Sequence, residues 1–234
     1  MENLYRLLSG NPYPGRGILL GQTADGRALI AYFIMGRSVN SQNRVFTEKD
    51  GGIITEAFDP SKMVDPSLII YAPVRVFNPE TTIVTNGDQT DTVFDALAAG
   101  KTFEDALRTR TYEPDPPNYT PRISGLLRVK DGNMAYQLSI LKAGTNASAL
   151  RCFYDYPEPQ PGEGRFLSTY VTDGNPLPSF QGEPTAVSLG DEDIDAFTAS
   201  LWDALDANNR VSLFTRTICL KSGEIQTRIM NKHA

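Results

Sequence analysis

Three polar segments interrupt an otherwise apolar, strand-like chain and carry most of the side chains able to do chemistry. In Gly36-Arg37-Ser38-Val39-Asn40-Ser41-Gln42-Asn43-Arg44, two arginines bracket a run rich in hydroxyl and amide donors. A guanidinium can fork onto phosphate oxygens and short hydroxyls add neutral donors, so the segment suits a single phosphomonoester. The same composition also describes a polar hairpin loop with solvated arginines. In Thr85-Asn86-Gly87-Asp88-Gln89-Thr90-Asp91, a strand hands over to a helix. Backbone N–H groups at such a junction can hold an anion or an oxyanion. The alternative is a turn plus N-cap in which Asp88 or Asp91 caps the helix. The third segment, Tyr112-Glu113-Pro114-Asp115-Pro116-Pro117-Asn118-Tyr119-Thr120-Pro121-Arg122, is stiffened by proline and presents phenol, carboxylate, hydroxyl and guanidinium groups. A stiff loop loses little entropy on binding, although a rigid surface connection would read the same way.

Other chemistries are excluded by what the chain lacks. Its single histidine is His233, beside the C-terminus, where segments fray unless tied down. The commonest general base and the commonest metal ligand are therefore both poor expectations. Cys152 and Cys219 have no CxxC partner and read as small buried hydrophobes in a reducing compartment. No metal-ligand spacing is present. A net charge of −6 argues against a nucleic-acid surface. The N-terminal MENLYRLLSG has no basic region followed by a long apolar one, and no apolar run approaches the roughly 20 residues of a membrane span. A cytoplasmic protein with no membrane partner is the expectation.

The elements that would position these segments are mostly hairpins. Asp25-Gly26, Asp131-Gly132 and Ser222-Gly223 supply the positive-φ residue that tight hairpin turns require. They predict strand pairs 17–22 with 28–35, 122–129 with 134–141, and 211–220 with 225–230. Further strands are expected at 52–57, 68–77, 82–85 and 166–172, and one containing Val45 and Phe46. A helix is expected at 89–99 behind Asp88 as N-cap, a second from Thr102 with Asp105 completing a capping box, and a third at about 191–207. The stripe Ile194, Phe197, Leu201, Trp202 and Leu205 reads as core packing. Segments 113–121 and 156–164 are Pro-rich loops, and neither separates regions of different composition, so residues 1–234 read as one α+β domain of stacked sheets with helices outside.

Taken in order, Gly15-Arg16, AYFIMGRS…NRVF (31–46), TNGDQTDTV (85–93) and YEPD…NYTPRI (112–123) resemble the archaeal-type IMP cyclohydrolase family. The resemblance is clearest over 15–142; the 154–164 loop and the spacing before Thr120 depart from the family pattern. It implies a four-layer α-β-β-α sandwich similar to the N-terminal-nucleophile hydrolase fold. That mechanism itself is not expected, since Met1-Glu2 offers no terminal Ser, Thr or Cys. It implies ring closure of 5-formamidoimidazole-4-carboxamide ribonucleotide (FAICAR) to IMP with loss of water, without metal or cofactor, in a homo-oligomer, a tetramer by family likeness.

Under that resemblance Glu113 is the expected proton acceptor, and Arg122 and Tyr71 contact the formyl or carboxamide group. Arg37, Ser38 and Arg44 hold the phosphate or the ring, Asn86, Gly87 and Thr90 orient the base, and Tyr112 and Thr120 complete the substrate contacts. Asp88 and Asp91 are helix caps or orienting groups. Two competing readings stand beside this one: a non-catalytic purine-nucleotide-binding protein, and another amidohydrolase on the same fold.

Overall fold

The computed structural model describes residues 1–63, 66 and 70–233. The chain is α+β, dominated by two antiparallel sheets. In the first, β1 (Arg16–Gln22) pairs with β2 (Arg27–Met35), and β12 (Arg210–Cys219) with β13 (Ile225–Asn231) extends the β2 side. On the β1 side lie β10 (Glu163–Ser168) and then β11 (Thr185–Ser188). The second sheet runs β3 (Arg44–Lys49), β4 (Gly52–Ala57), β5 (Val74–Asn78), β6 (Thr81–Thr85), β7 (Arg122–Lys130), β8 (Asn133–Ala143), β9 (Ala149–Tyr156), each strand beside the next in sequence. The three expected Gly-containing hairpin turns join β1 to β2, β7 to β8 and β12 to β13, with Gly26, Gly132 and Gly223 at positive φ.

Side-chain alternation divides each sheet between two cores. Ile18, Leu20, Ile30, Tyr32 and Ile34 of the first sheet meet Ile53, Val74, Val84, Ile123, Leu127 and Leu138 of the second. The sheets approach closely at Gly125, where a Cβ would stand 2.9 Å from Leu20 Cδ1. The opposite face of the first sheet, through Leu19, Leu29 and Phe33, packs on α1 (Leu4–Ser9) and on Phe197, Leu201 and Trp202 of α5 (Ile194–Ala204). That of the second, through Ile83, Leu126 and Leu141, packs on α3 (Gln89–Ala98) and α4 (Phe103–Arg108). Trp202 is core, as its spacing indicates.

Local chemistry explains where the elements stop. Thr102 caps α4 with the reciprocal Asp105 box, and Asp193 caps α5, which begins at Ile194, three residues later than 191. The strand expected at 68–77 begins at Val74; residues 68 and 69 lie outside the described ones, and Pro73 has no N–H for a ladder. The strand expected at 166–172 runs instead over Glu163–Ser168. Thr169 and Tyr170 still donate to the Arg16 and Pro14 carbonyls, but Gly15 turns the partner strand away at φ +80°. The Arg37 to Arg44 loop contains the single turn α2 (Val39–Gln42), capped by Ser38. The segments forming β9, β11 and α1 carried no expectation.

Leu20→Ala should lower unfolding free energy by about 2–5 kcal/mol, because the sheets cannot collapse onto the gap beside Gly125. Chemical denaturation with the m-value unchanged is the check.

Candidate active site

The polar segments converge because their strand ends do. Arg16 opens β1, Met35 closes β2, Arg44 opens β3, Thr85 closes β6, Arg122 opens β7 and Ser168 closes β10, all at one end of the paired sheets. Arg44 ties the sheets there: its Nε donates to Ser41 O at 2.7 Å and its Nη2 to Met35 O at 3.2 Å. The residue is fully buried, and Arg44 Nη1 has no hydrogen-bond partner.

Arg16 is the second guanidinium of the cluster. It keeps some exposure as a whole, yet its Nε is cut off from solvent and has no partner. Gly15 sets it in place: a Cβ there would sit 2.3 Å from Thr169 Oγ1 and 2.5 Å from Tyr170 Cδ2. Burial disfavours the charge on Arg16, but the Glu113 carboxylate together with the neighbouring Tyr170, Tyr13 and Tyr71 phenols outweighs it and raises its pKa. Arg44 has the opposite balance, its pKa lowered by burial and by the like charge of Arg16. Each group is a donor held ready for an anion.

Glu113 faces both. It is 2 % exposed, and its loop is fixed by a backbone hydrogen bond from Glu113 N to Thr120 O at 2.9 Å. Burial raises its pKa against the opposing charges of Arg16 and Arg122. Asp115 organises the same loop, accepting from Thr120 N at 2.6 Å and from the Thr120 hydroxyl, which also meets Tyr170 Oη at 2.6 Å. Tyr71 completes the wall: its hydroxyl lies 2.8 Å from that of Tyr32, and both phenols neighbour Arg44.

The remaining expected residues hold the frame. Arg122 Nη1 donates to Gln89 Oε1 at 2.7 Å and lies 2.6 Å from Asp88 Oδ1. Asp88 makes no side-chain cap, contrary to expectation; its carboxylate bridges Arg122 and Arg110, whose charges outweigh burial and lower its pKa. Asp91 pairs with Arg75. Asn86 Oδ1 accepts from Ile123 N and Gln89 Nε2, and its Nδ2 donates to Pro121 O, so this amide locks the loop. Thr90 Oγ1 bonds within the same turn. Gly87 makes room: a Cβ there would lie 2.6 Å from Arg122 Nη1 and 3.5 Å from Glu113 Oε1.

Arg37 and Ser38 lie at the rim. Arg37 stacks over Tyr13 and pairs with Asp173 at 2.6 Å, while Ser38 caps α2. The Tyr112 hydroxyl donates outward to Ala147 O. Arg16, Tyr13, Tyr32 and Tyr170 received no role from the sequence, although Gly15-Arg16 is among the stretches that carry the family resemblance. A cavity of about 550 Å³ between β4 and β5, lined by Lys49, Ile54, Tyr71, Arg75 and Phe94, lies to one side. Its charged groups are partly exposed and Arg75 is already paired, so the buried donors of the arginine cluster make the better site. Among the described residues no His, Cys, Asp and Glu cluster suits a metal ion, and no helix is long and apolar enough to cross a membrane.

Comparison with known proteins supplies an independent likeness. The family model described as IMP cyclohydrolase-like protein matches residues 13–222. The IMP cyclohydrolase of Methanopyrus kandleri is 30% identical over 162 residues, covering 68% of this chain and 75% of that protein. Those of Methanococcus maripaludis strain S2 and Methanocaldococcus jannaschii are each 30% identical over 129 and 127 residues, covering 53% of this chain and 62% and 61% of theirs. The chain thus matches under two thirds of the length of the latter two.

Burial penalises the Glu113 carboxylate more than its neighbours favour it, so its contribution to stability is greatest at low pH and is lost as pH rises through its raised pKa. Glu113→Gln should therefore raise the melting temperature at pH 8 relative to wild type, with the gain vanishing towards pH 4. Thermal unfolding across that range checks it.

Proposed function

The chain belongs to the IMP cyclohydrolase-like family, and from that membership we propose that it closes the pyrimidine ring of FAICAR to give IMP and water. The observation that carries the reading is a buried carboxylate, Glu113, set against two guanidiniums that each hold an unpartnered N–H.

The reaction needs what this cluster offers. Both reacting groups sit on one imidazole ring, so holding the formamide in a near-attack rotamer removes much of the barrier. The carboxamide nitrogen attacks the formyl carbon, and its proton passes to Glu113, whose raised pKa makes it a better proton acceptor than an exposed carboxylate. The carbonyl electron pair moves onto the formyl oxygen, where a positioned donor is worth about 3 kcal/mol. That oxygen then leaves as water with one proton from the carboxamide nitrogen and one from the formamide nitrogen. Tyr71 lines the reacting region and Arg44 holds an anionic part of the substrate. Arg122, Asn86, Gly87 and Thr90 position the wall around Glu113, with Thr120 fixing its loop. Arg37, Ser38 and Tyr112, at the rim, meet the distal part of the ribonucleotide. No step calls for a metal or cofactor.

We read the fold more finely as a four-layer α-β-β-α sandwich similar to N-terminal-nucleophile hydrolases, with residues 1–234 as one domain. The three separate apolar clusters support this reading. Family likeness extends the proposal to a cytoplasmic homo-oligomer, a tetramer.

Chelator-treated protein incubated with FAICAR should form IMP, followed by absorbance. Glu113→Gln should lower kcat by about 10²–10⁴-fold. Absence of turnover above background in the wild type would remove the proposal. IMP binding without turnover would favour a nucleotide-binding protein instead.

A further inference from the structure

Arg16 is the cluster's one guanidinium with an isolated Nε–H and a carboxylate neighbour that is itself the proposed base. Arg122 and Arg37, the other guanidiniums expected at the site, are engaged with Asp88 and Gln89 and with Asp173. The Arg44 Nε and Nη2 are engaged with backbone carbonyls. The Arg16 Nε is cut off from solvent with nothing to donate to, and Glu113, Tyr13, Tyr71 and Tyr170 are near enough to act on the charge of the group. Leaving a buried N–H unpaired costs free energy, and such a group persists where a ligand supplies the acceptor.

Its neighbour restricts which acceptor that is. A phosphate beside Glu113 would meet a like charge, whereas an oxygen that becomes negative only as Glu113 takes up a proton would not. Building on the cyclisation reading, we propose that Arg16 is a catalytic residue whose guanidinium donates to the formyl oxygen of the substrate as the carboxamide nitrogen attacks. The carbon–nitrogen bond forms, the carbonyl pair moves to the oxygen facing Arg16, and the carboxamide proton goes to Glu113. The same oxygen departs as water, so the product no longer contains the atom Arg16 contacts. Arg16 thus favours the transition state over bound IMP. Gly15 holds it there, since any Cβ at that position would strike Thr169 and Tyr170.

The test compares Arg16→Lys and Arg16→Gln with wild type in single-turnover cyclisation, IMP calorimetry and thermal unfolding. Lysine keeps the charge but not the planar guanidinium geometry. Both variants should lose about 100-fold or more in kcat, the usual loss on removing one oxyanion donor. Both should bind IMP within about threefold of wild type. In Arg16→Gln the acidic limb of the kcat profile should also move to higher pH, because Glu113 loses a neighbouring positive charge. Rates within about threefold of wild type would overturn the proposal. So would a tenfold or greater loss of IMP affinity with little change in kcat, the mark of a phosphate clamp. A folding defect in both variants that accounts for the lost rate would overturn it as well. A wild-type protein that makes no IMP would instead remove the cyclisation reading on which this one rests, so the two failures are distinct.

Discussion

Two guanidinium groups near one another, Arg44 fully buried and Arg16 partly so, are the constraint on which the rest of this molecule turns. Each would be better solvated in water, and each raises the electrostatic cost of the other. The Glu113 carboxylate offsets part of that cost and is itself held protonation-prone by burial. Neither arrangement is what stability alone selects. A buried polar network with unpaired members is costlier than an apolar core of the same shape, so its persistence points to a role in holding an anion or a developing oxyanion.

Everything around the cluster serves to keep it assembled. The two antiparallel sheets supply apolar walls, and their strand ends deliver Arg16, Arg44 and Arg122 to one rim. Glycines at two places let the walls close: Gly15 allows Tyr170 to pack over the start of β1, and Gly87 allows Arg122 and Glu113 to approach the turn before α3. The loop carrying Glu113 is pinned by Asp115, Thr120 and Tyr170, so the carboxylate proposed as the base is oriented by hydrogen bonds elsewhere in its loop. Rigidity of this kind is what an intramolecular ring closure can use, because both reactants are already joined.

Much of the frame was legible in the sequence. The three Gly-containing turns fix their hairpins because a positive-φ residue between apolar runs admits few alternatives. The Thr102–Asp105 box and the α5 stripe were equally explicit. β9 and β11 were not, since Arg151, Asp155 and Thr185 on partly exposed edges break the apolar alternation that marks a strand. At the site, residue type was easier to read than residue engagement. Composition identified Arg37, Arg44 and Arg122 alike as free donors, but only folding shows that Arg37 and Arg122 are ion-paired while Arg44 retains an unpaired N–H. Asp88 looked like a cap because it precedes a helix; two arginines compete for it more strongly than the helix N-terminus does. Arg16 was marked with Gly15 by the family resemblance but received no role, because a lone arginine opening a strand is ordinary until the groups facing it are known.

The most direct test of this account is a crystal structure of the protein with IMP bound. The purine should lie at the shared end of the two sheets, with a ring nitrogen within hydrogen-bond reach of Glu113 and an acceptor of the nucleotide on the arginine cluster. IMP seated instead in the cavity between β4 and β5, with Glu113 and Arg44 untouched, would contradict it.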